Sequence, residues 1–148
     1  MAVIRLTKEF RFEMSHMLEG YDGLCKNLHG HSYRLFVTII GEPINDPTNP
    51  KDGMVMDFGD LKRIVGSKVV NVFDHALVIR DSKNLEVLKQ INEKTVVVPF
   101  QPTCENMLPY IADEIRKELP NRVNLFQLKL YETANSFAEW YASDNTDS

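Results

Sequence analysis

Two long runs of alternating apolar and polar residues constrain the fold of this chain more than any other feature. In residues 4–16 the even positions are apolar as far as His16, with Lys8 the only exception. In residues 29–41 the odd positions form a second series that begins at His29. This period of two predicts half-buried strands. Consecutive strands joined by a loop pair antiparallel most simply, which places His16 beside His29.

The rest of the chain predicts an α+β domain with an antiparallel four-stranded sheet and two helices on one face. Apolar positions recur at helical spacing after the N-cap candidates Asp57 and Thr103, and Pro120 stops the second of these helices. The other predicted elements are a short helix over 84–91, a short strand over 95–98, and strands over 123–132 and 136–141.

Composition places the chain among single-domain proteins with a substantial hydrophobic core. It has 148 residues, 43% of them hydrophobic, and a net charge of −4. This charge argues against a nucleic-acid partner and against a polybasic membrane anchor. We recognise no signal peptide and no segment of transmembrane length, and therefore expect a cytoplasmic protein with reduced thiols. We expect one domain over residues 1–142 and a disordered tail over 143–148.

Three of the four histidines can meet at one end of the predicted strand pair. His29 and His31 share a strand face because successive side chains alternate sides, and His16 ends the neighbouring strand in phase with its apolar side. Three neutral imidazoles without a fourth protein ligand are typical of a catalytic zinc site, whose open position takes water or substrate. The alternative is that they are ordinary histidines with no shared ligand.

Cys25 lies four residues before His29, close enough to reach whatever the histidines bind. A thiol near a dication becomes a usable base or nucleophile. Two alternatives stay open. Cys25 can be a loop cysteine without a role, or it can be a fourth zinc ligand that closes the shell. A closed shell predicts a zinc-stabilised binding module without catalysis.

The local sequence leaves open the roles of three further titratable groups, those of Asp74, His75 and Glu132. Asp74 and His75 follow a predicted helix: either they cap its C-terminus, or the carboxylate orients the imidazole in an acid/base pair. Glu132 is in phase with the apolar positions of its strand. It either turns out to solvent or points inward, where it needs a partner such as a flat heterocycle with two N–H donors. Glu105 and Cys104 fit the first turn of the second helix.

Six motifs in order resemble those of the 6-pyruvoyl-tetrahydropterin synthase / 6-carboxy-tetrahydropterin synthase family over nearly the whole chain. They are Phe-Glu-Met-Ser-His at 12–16, Cys-Lys-Asn-Leu-His-Gly-His at 25–31, Met-Asp-Phe-Gly-Asp-Leu-Lys at 56–62, Phe-Asp-His-Ala-Leu at 73–77, Pro-Thr-Cys-Glu-Asn at 102–106 and Tyr-Glu-Thr at 131–133. The resemblance implies the tunnelling fold (T-fold). In that fold, subunits join into a trimeric antiparallel barrel, two trimers stack into a homohexamer, and active sites form between subunits.

The resemblance also implies a substrate and a role for each candidate residue. The substrate is a small molecule, 7,8-dihydroneopterin triphosphate. Each subunit holds one zinc ion near the hydroxyls of the substrate's side chain. Proton transfer and loss of triphosphate follow. The implied zinc ligands are His16, His29 and His31. The implied proton acceptor is Cys25, and Asp74 and His75 complete the acid/base system. Glu132 anchors the pterin ring, and Thr103 and Glu105 lie near it.

The spacer between Cys25 and His29 bears on the product. Carboxy-forming members of the family, which act in 7-deazaguanine (queuosine) biosynthesis, typically have three residues there, as this chain has. Pyruvoyl-forming members usually have a longer spacer. The resemblance therefore favours a zinc-dependent lyase that forms 6-carboxy-5,6,7,8-tetrahydropterin and releases acetaldehyde and triphosphate. A 6-pyruvoyl-tetrahydropterin synthase is the alternative. The segment 92–101, longer than in the shortest members, and Cys104 depart from the family pattern.

Overall fold

The computed structural model describes residues 2–146, and within them the strands form a single sheet. The strands are β1 (Ile4–His16), β2 (His29–Gly41), β3 (Ala76–Arg80), β4 (Thr95–Val98), β5 (Asn124–Thr133) and β6 (Ser136–Tyr141). The helices are α1 (Phe58–Val65), α2 (Asn71–Phe73), α3 (Leu85–Ile91) and α4 (Cys104–Arg116), with a π-helical turn at Gly66–Val70 and 3-10 turns at Leu24–Lys26 and Ala142–Asp144. The predicted tail begins in the last of these turns, and its residues 147 and 148 lie outside the described part. No helix of the described residues is long and apolar enough to cross a membrane.

Four of the strands form the antiparallel part of the sheet that the sequence predicts. β1 and β2 pair along their whole length, with Ile4 opposite Gly41 and His16 opposite His29. β5 pairs antiparallel with β2, and β6 pairs antiparallel with β5. The end of β1 and the start of β2 therefore meet at the predicted histidine site.

The prediction of a wholly antiparallel sheet with four strands is wrong at one edge. β3 runs parallel to β1, with Met14 opposite Ala76, and β4 runs parallel to β3. Residues 76–79 are all buried, so apolar and polar residues do not alternate there. Without alternation, a short apolar strand cannot be distinguished in the sequence from the end of a helix. Among residues 2–146 the sheet is mixed and six-stranded, in the order β4-β3-β1-β2-β5-β6. The trimeric barrel stays a prediction.

One face of the sheet and the helices enclose the main hydrophobic core. The alternation buries the even positions of β1 from Phe10 to His16 and the odd positions of β2 from Tyr33 to Ile39. Residues of α1, α2 and α4 belong to the same core, so the prediction of helices on one face is confirmed. α3 covers the other side of strand β3 with Leu88.

The two long helical segments begin at the predicted N-caps. A side-chain oxygen of Asp57 accepts the backbone N–H of Gly59 at 2.7 Å, and the Thr103 hydroxyl accepts that of Asn106 at 3.3 Å. These contacts satisfy backbone donors that have no partner inside the helix. The first segment passes through the π-helical turn at Gly66, the weak helix former in its sequence, before α2 ends it.

Candidate active site

β1 and β2 carry the three predicted metal ligands to one point. His16 lies directly opposite His29, and His31 follows on the same face of β2. One ligand atom from each ring lies within 4.8 Å of the others, and the Nε2 atoms of His16 and His29 are 2.9 Å apart. His16 is buried, whereas His29 and His31 are half-buried. The three side chains form a group that could hold a metal ion.

Backbone carbonyls fix the tautomer of two of these imidazoles. The Nδ1 atom of His16 lies 2.7 Å from the carbonyl oxygen of Pro102, and that of His29 lies 2.7 Å from the carbonyl oxygen of Asn27. A carbonyl only accepts, so each Nδ1 donates its hydrogen and each neutral ring presents an Nε2 lone pair to the centre. Partners of this kind orient histidine ligands at metal sites.

Burial lowers the pKa of two of the three imidazoles, and one buried nitrogen of the cluster has no partner in the described part of the chain. Burial lowers the pKa of His16, against the opposing effect of the Pro102 carbonyl, and it also lowers the pKa of His31. The Nε2 atom of His31 is buried and has no hydrogen-bond partner within residues 2–146. A cation between the rings would satisfy this nitrogen and the two facing lone pairs. Three imidazoles with an open fourth position fit zinc.

Glu132 extends from the end of β5 towards the same centre. Its Oε1 atom lies 3.6 Å from the Nε2 atoms of both His16 and His31. Together with Cys104 and Ser136, this carboxylate lines a cavity of about 320 Å³ between the starts of α4 and β6. Glu132 therefore points inward, and it can accept N–H donors from a ligand in that cavity.

The start of α4 forms one wall of this cavity. Thr103 uses its hydroxyl as the helix N-cap, and Glu105 in the first turn lines the cavity. Cys104 is 7% exposed, and burial raises its pKa to about 12, with the carboxylates of Glu132 and Glu105 adding to the effect. Cys104 is therefore a neutral thiol at physiological pH and is unsuited to act as a base.

Cys25 lies in the loop between β1 and β2, in the turn Leu24–Lys26, and is half-buried. Its carbonyl oxygen accepts the backbone N–H of Leu18 at 3.0 Å, which closes the loop. The group of converging ligand atoms contains the three histidines and not Cys25.

The turn before β3 holds Asp74 and His75 in a fixed conformation. His75 has a φ of 61°, in the left-handed region that side chains other than glycine rarely adopt. The backbone N–H of His75 donates to the carbonyl of Glu13 at 2.5 Å, and in return the N–H of Glu13 donates to Asp74 Oδ1 at 2.9 Å. Lys94 Nζ donates to the Asp74 carbonyl at 2.6 Å. The N–H of Glu13 lowers the pKa of Asp74, whose carboxylate is 3.1 Å from His75 Nδ1. This is the geometry of an oriented acid/base pair.

One chain does not bring this pair into contact with the other predicted groups. His75 is 77% exposed and lines a cavity of about 570 Å³ with Glu13, Ser15 and Ser32, whose strand positions alternate with the buried ones. Residues 28–31 line the same cavity from the edge of the histidine cluster. Within residues 2–146, no hydrogen bond or ion pair joins the pair to Cys25, Glu132 or the histidine cluster.

Comparison with known protein families identifies the family of this chain. The family model of 6-pyruvoyl tetrahydropterin synthase matches residues 5–143. The chain belongs to this family. A relative named 6-carboxy-5,6,7,8-tetrahydropterin synthase, from Haemophilus influenzae, is 36% identical over 143 residues, which cover 93% of this chain and 99% of the relative. The 6-pyruvoyl tetrahydrobiopterin synthase of Pongo abelii is 35% identical over 116 residues, which cover 77% of this chain and 68% of that protein. The chain is therefore an enzyme of the tetrahydropterin synthase family.

Solved structures agree on the fold of this family. A crystal structure of an uncharacterized protein from Wolinella succinogenes superposes with a TM-score of 0.76 at 22% identity and covers 95% of this chain and 99% of its own. The 6-pyruvoyl tetrahydropterin synthase of Caenorhabditis elegans gives 0.67 at 24% identity, covering 95% and 96%. The resemblance that the six sequence motifs predict is thus confirmed at the level of family and fold.

Three groups at the site have no counterpart among the sequence-based assignments. Two are the carbonyls of Asn27 and Pro102, which have no residue-type signal because every residue has a carbonyl. The third is the buried hydroxyl of Tyr33. That hydroxyl did have a signal, since Tyr33 continues the series of odd positions that contains His29 and His31.

Proposed function

We propose that this chain is a zinc-dependent pterin side-chain lyase. Its substrate is 7,8-dihydroneopterin triphosphate, and its products are 6-carboxy-5,6,7,8-tetrahydropterin, acetaldehyde and triphosphate, with addition of water. The observation that carries the proposal is the convergence of three buried or half-buried imidazoles beside the carboxylate of Glu132. The proposal places the enzyme in 7-deazaguanine (queuosine) biosynthesis.

Each residue of the site has its own role in the proposed reaction. Glu132 accepts the N–H donors of the amino-pyrimidinone edge of the pterin in the cavity that it lines with Glu105, and Thr103 holds that wall as the helix cap. A zinc ion held by the three histidines supplies Lewis-acid polarisation of the side-chain oxygens. Cys25 accepts a proton from the substrate side chain, and the Asp74–His75 pair takes part in moving it onward.

The product assignment rests on the relatives and on the spacer. The Haemophilus influenzae relative, named as a carboxy-forming enzyme, covers nearly the whole chain. The three residues between Cys25 and His29 support the same branch. The alternative is formation of the 6-pyruvoyl compound by elimination of triphosphate alone, and the similarity to the Pongo abelii enzyme favours it.

A closed structural zinc site is the non-enzymatic alternative, and the donor set argues against it. Such a site needs a fourth protein ligand at the position of the metal. Cys25, the candidate, is not in the group of converging ligand atoms. An open fourth position supports a catalytic site.

The position of Asp74 and His75 supports an active site shared between subunits. In one chain His75 faces a cavity lined by Glu13, Ser32, His29 and His31, and among residues 2–146 no hydrogen bond or ion pair joins it to Cys25. A second copy would supply this pair to the first copy's zinc site. Strands β4 and β6 lie at the two edges of the sheet, where pairing between subunits is possible. We therefore include the homohexamer of two stacked trimers in the proposal.

Replacement of Cys25 by Ala tests the catalytic assignment. The variant should keep its zinc and its thermal stability but lose triphosphate release from 7,8-dihydroneopterin triphosphate by at least about 100-fold, because a general base contributes that much. Leu24→Ala, in the same turn and 87% exposed, is the matched control and should remain active. Retained turnover in Cys25→Ala contradicts the role of the thiol, whereas loss of zinc and stability favours the structural site.

A further inference from the structure

Tyr33 carries a buried hydroxyl that packing alone does not explain. The side chain is 1% exposed, and its hydroxyl oxygen has no hydrogen-bond partner among residues 2–146. The ring stacks on Phe12 at a centroid distance of 5.4 Å, a contact that a phenylalanine would make equally well. A buried hydroxyl without a partner lowers stability, so it calls for an explanation.

The strand register relates Tyr33 to Glu132, which lines the cavity beside α4. β2 pairs with β5 as far as Arg34 opposite Tyr131, and the next residues on the two strands are Tyr33 and Glu132. Continued by one residue, that register would set these two side chains opposite each other, at the point where the pairing of β5 with β6 shifts. Directly opposed side chains on one face of a sheet are neighbours. The Tyr33 ring is also 5.7 Å from that of His31, whose Nε2 atom lies 3.6 Å from Glu132.

Glu132 has two competing directions in which it can point. Its Oε1 atom lies near the nitrogens of His16 and His31, where a zinc ion would attract it, and the cavity for the pterin lies beside it. A carboxylate that swung onto the metal would lose its alignment with the N–H edge of a ligand. The phenol of Tyr33 is a proton donor, because a tyrosine hydroxyl is protonated at neutral pH.

We propose that Tyr33 is a positioning residue whose hydroxyl donates a hydrogen bond to the Glu132 carboxylate and holds it towards the pterin. The inference rests on the proposed function, because it assigns Glu132 to the pterin. Tyr33 itself takes no part in the chemical step. Its removal should therefore weaken substrate binding and leave zinc binding unaffected.

The test compares Tyr33→Phe with Tyr110→Phe, which removes a hydroxyl from helix α4. Tyr33→Phe should raise KM, and the Kd for neopterin measured by fluorescence titration, by about tenfold, the worth of a hydrogen bond to a charged group. Its kcat should stay within about twofold and its zinc content should be unchanged. Tyr110→Phe should match the wild type in all four measurements. Unchanged KM and Kd in Tyr33→Phe would overturn the inference.

A double-mutant cycle shows whether the hydroxyl acts through Glu132. In a Glu132→Gln background, Tyr33→Phe should have little further effect on the neopterin Kd, because the carboxylate is already gone. An undiminished tenfold effect would mean that Tyr33 acts independently, which contradicts the inference. If the wild type binds no pterin, the proposed function fails. The same cycle measured by urea unfolding then decides the pairing of Tyr33 with Glu132, since additive losses of stability would contradict it.

Discussion

His16 and His29 each bind a backbone carbonyl through Nδ1, so their Nε2 lone pairs face the centre before any ligand arrives. His31 differs from them, because its buried Nε2 has no hydrogen-bond partner in the described part of the chain. Its ring contacts that of His29 at a centroid distance of 4.9 Å and its Nε2 atom lies 3.6 Å from Glu132, so a metal ion would give this nitrogen its missing partner. His31 is therefore the most direct residue-level test of the metal site.

Replacement of His31 by Ala should lower zinc affinity by more than about 100-fold, because it removes one of three ligands from an open site. Zinc content after dialysis, measured by elemental analysis, checks this. His75→Ala is the matched control, since its side chain is 77% exposed and lies outside the cluster. Full zinc occupancy in His31→Ala would contradict the assignment of the histidine cluster.

At the scale of single residues, the sequence predicts which side chains meet but not what orients them. Period two places His29 and His31 on one face, and the antiparallel pairing brings His16 to them. The carbonyls of Asn27 and Pro102 cannot be predicted in this way, because a carbonyl's direction depends on the path of the loop that carries it. The alternation in β5 also predicts that Glu132 points inward, and its carboxylate does lie beside the histidine cluster.

At the scale of elements, the start of α1 is held by a charge pair as well as by its cap. The ammonium group of Lys51 lies 2.5 Å from Asp57, and this contact is the main cause of the lowered pKa of Asp57, followed by the N–H of Gly59. A carboxyl group whose pKa is lowered in the folded state stabilises the fold at pH values above its ordinary pKa of 3.8. That contribution is lost as the pH falls through the lower pKa of the folded state.

Asp57→Asn should therefore lower Tm at pH 7, because it keeps the capping oxygen but loses the charge that Lys51 binds. The difference from the wild type should shrink as the pH falls below 3.8. Thermal unfolding of the metal-free proteins across this range is the measurement. Asp113→Asn, on the surface of α4, serves as control for a general change in net charge. A difference that grows on acidification would contradict the ion pair.

The elements that the sequence predicts well are those with a clear period. β1, β2, the two helix N-caps and the short helix α3 fall where the pattern places them. β3 was missed because both of its faces are covered, one by the main core and the other by Leu88 of α3. A strand buried on both faces has no alternation to detect.

At the scale of the whole molecule, the position of Asp74 and His75 determines whether one chain can form a complete active site. They form an oriented pair that faces the cavity beside Glu13, which His29 and His31 also line, but among residues 2–146 no hydrogen bond or ion pair joins the pair to Cys25 or Glu132. The sequence motif identifies the pair and cannot place it, because a site between two copies depends on their packing. The account therefore predicts that an isolated chain has an incomplete active site.

Subunit mixing tests this prediction. Cys25→Ala and His75→Ala should each be inactive alone, whereas hetero-oligomers of the two, co-expressed with different tags, should recover up to about a quarter of wild-type turnover. Recovery follows because some sites combine an intact Cys25 from one copy with an intact His75 from the next. Absence of recovery in purified hetero-oligomers would mean that both residues act within one chain.

The central claim concerns the reaction, and identification of its products tests that claim most directly. The purified zinc-loaded protein is incubated with 7,8-dihydroneopterin triphosphate, and the pterin product is identified by mass spectrometry while acetaldehyde is trapped and quantified. The account predicts 6-carboxy-5,6,7,8-tetrahydropterin and an equal amount of acetaldehyde. The 6-pyruvoyl compound without acetaldehyde, or no consumption of substrate, would contradict it.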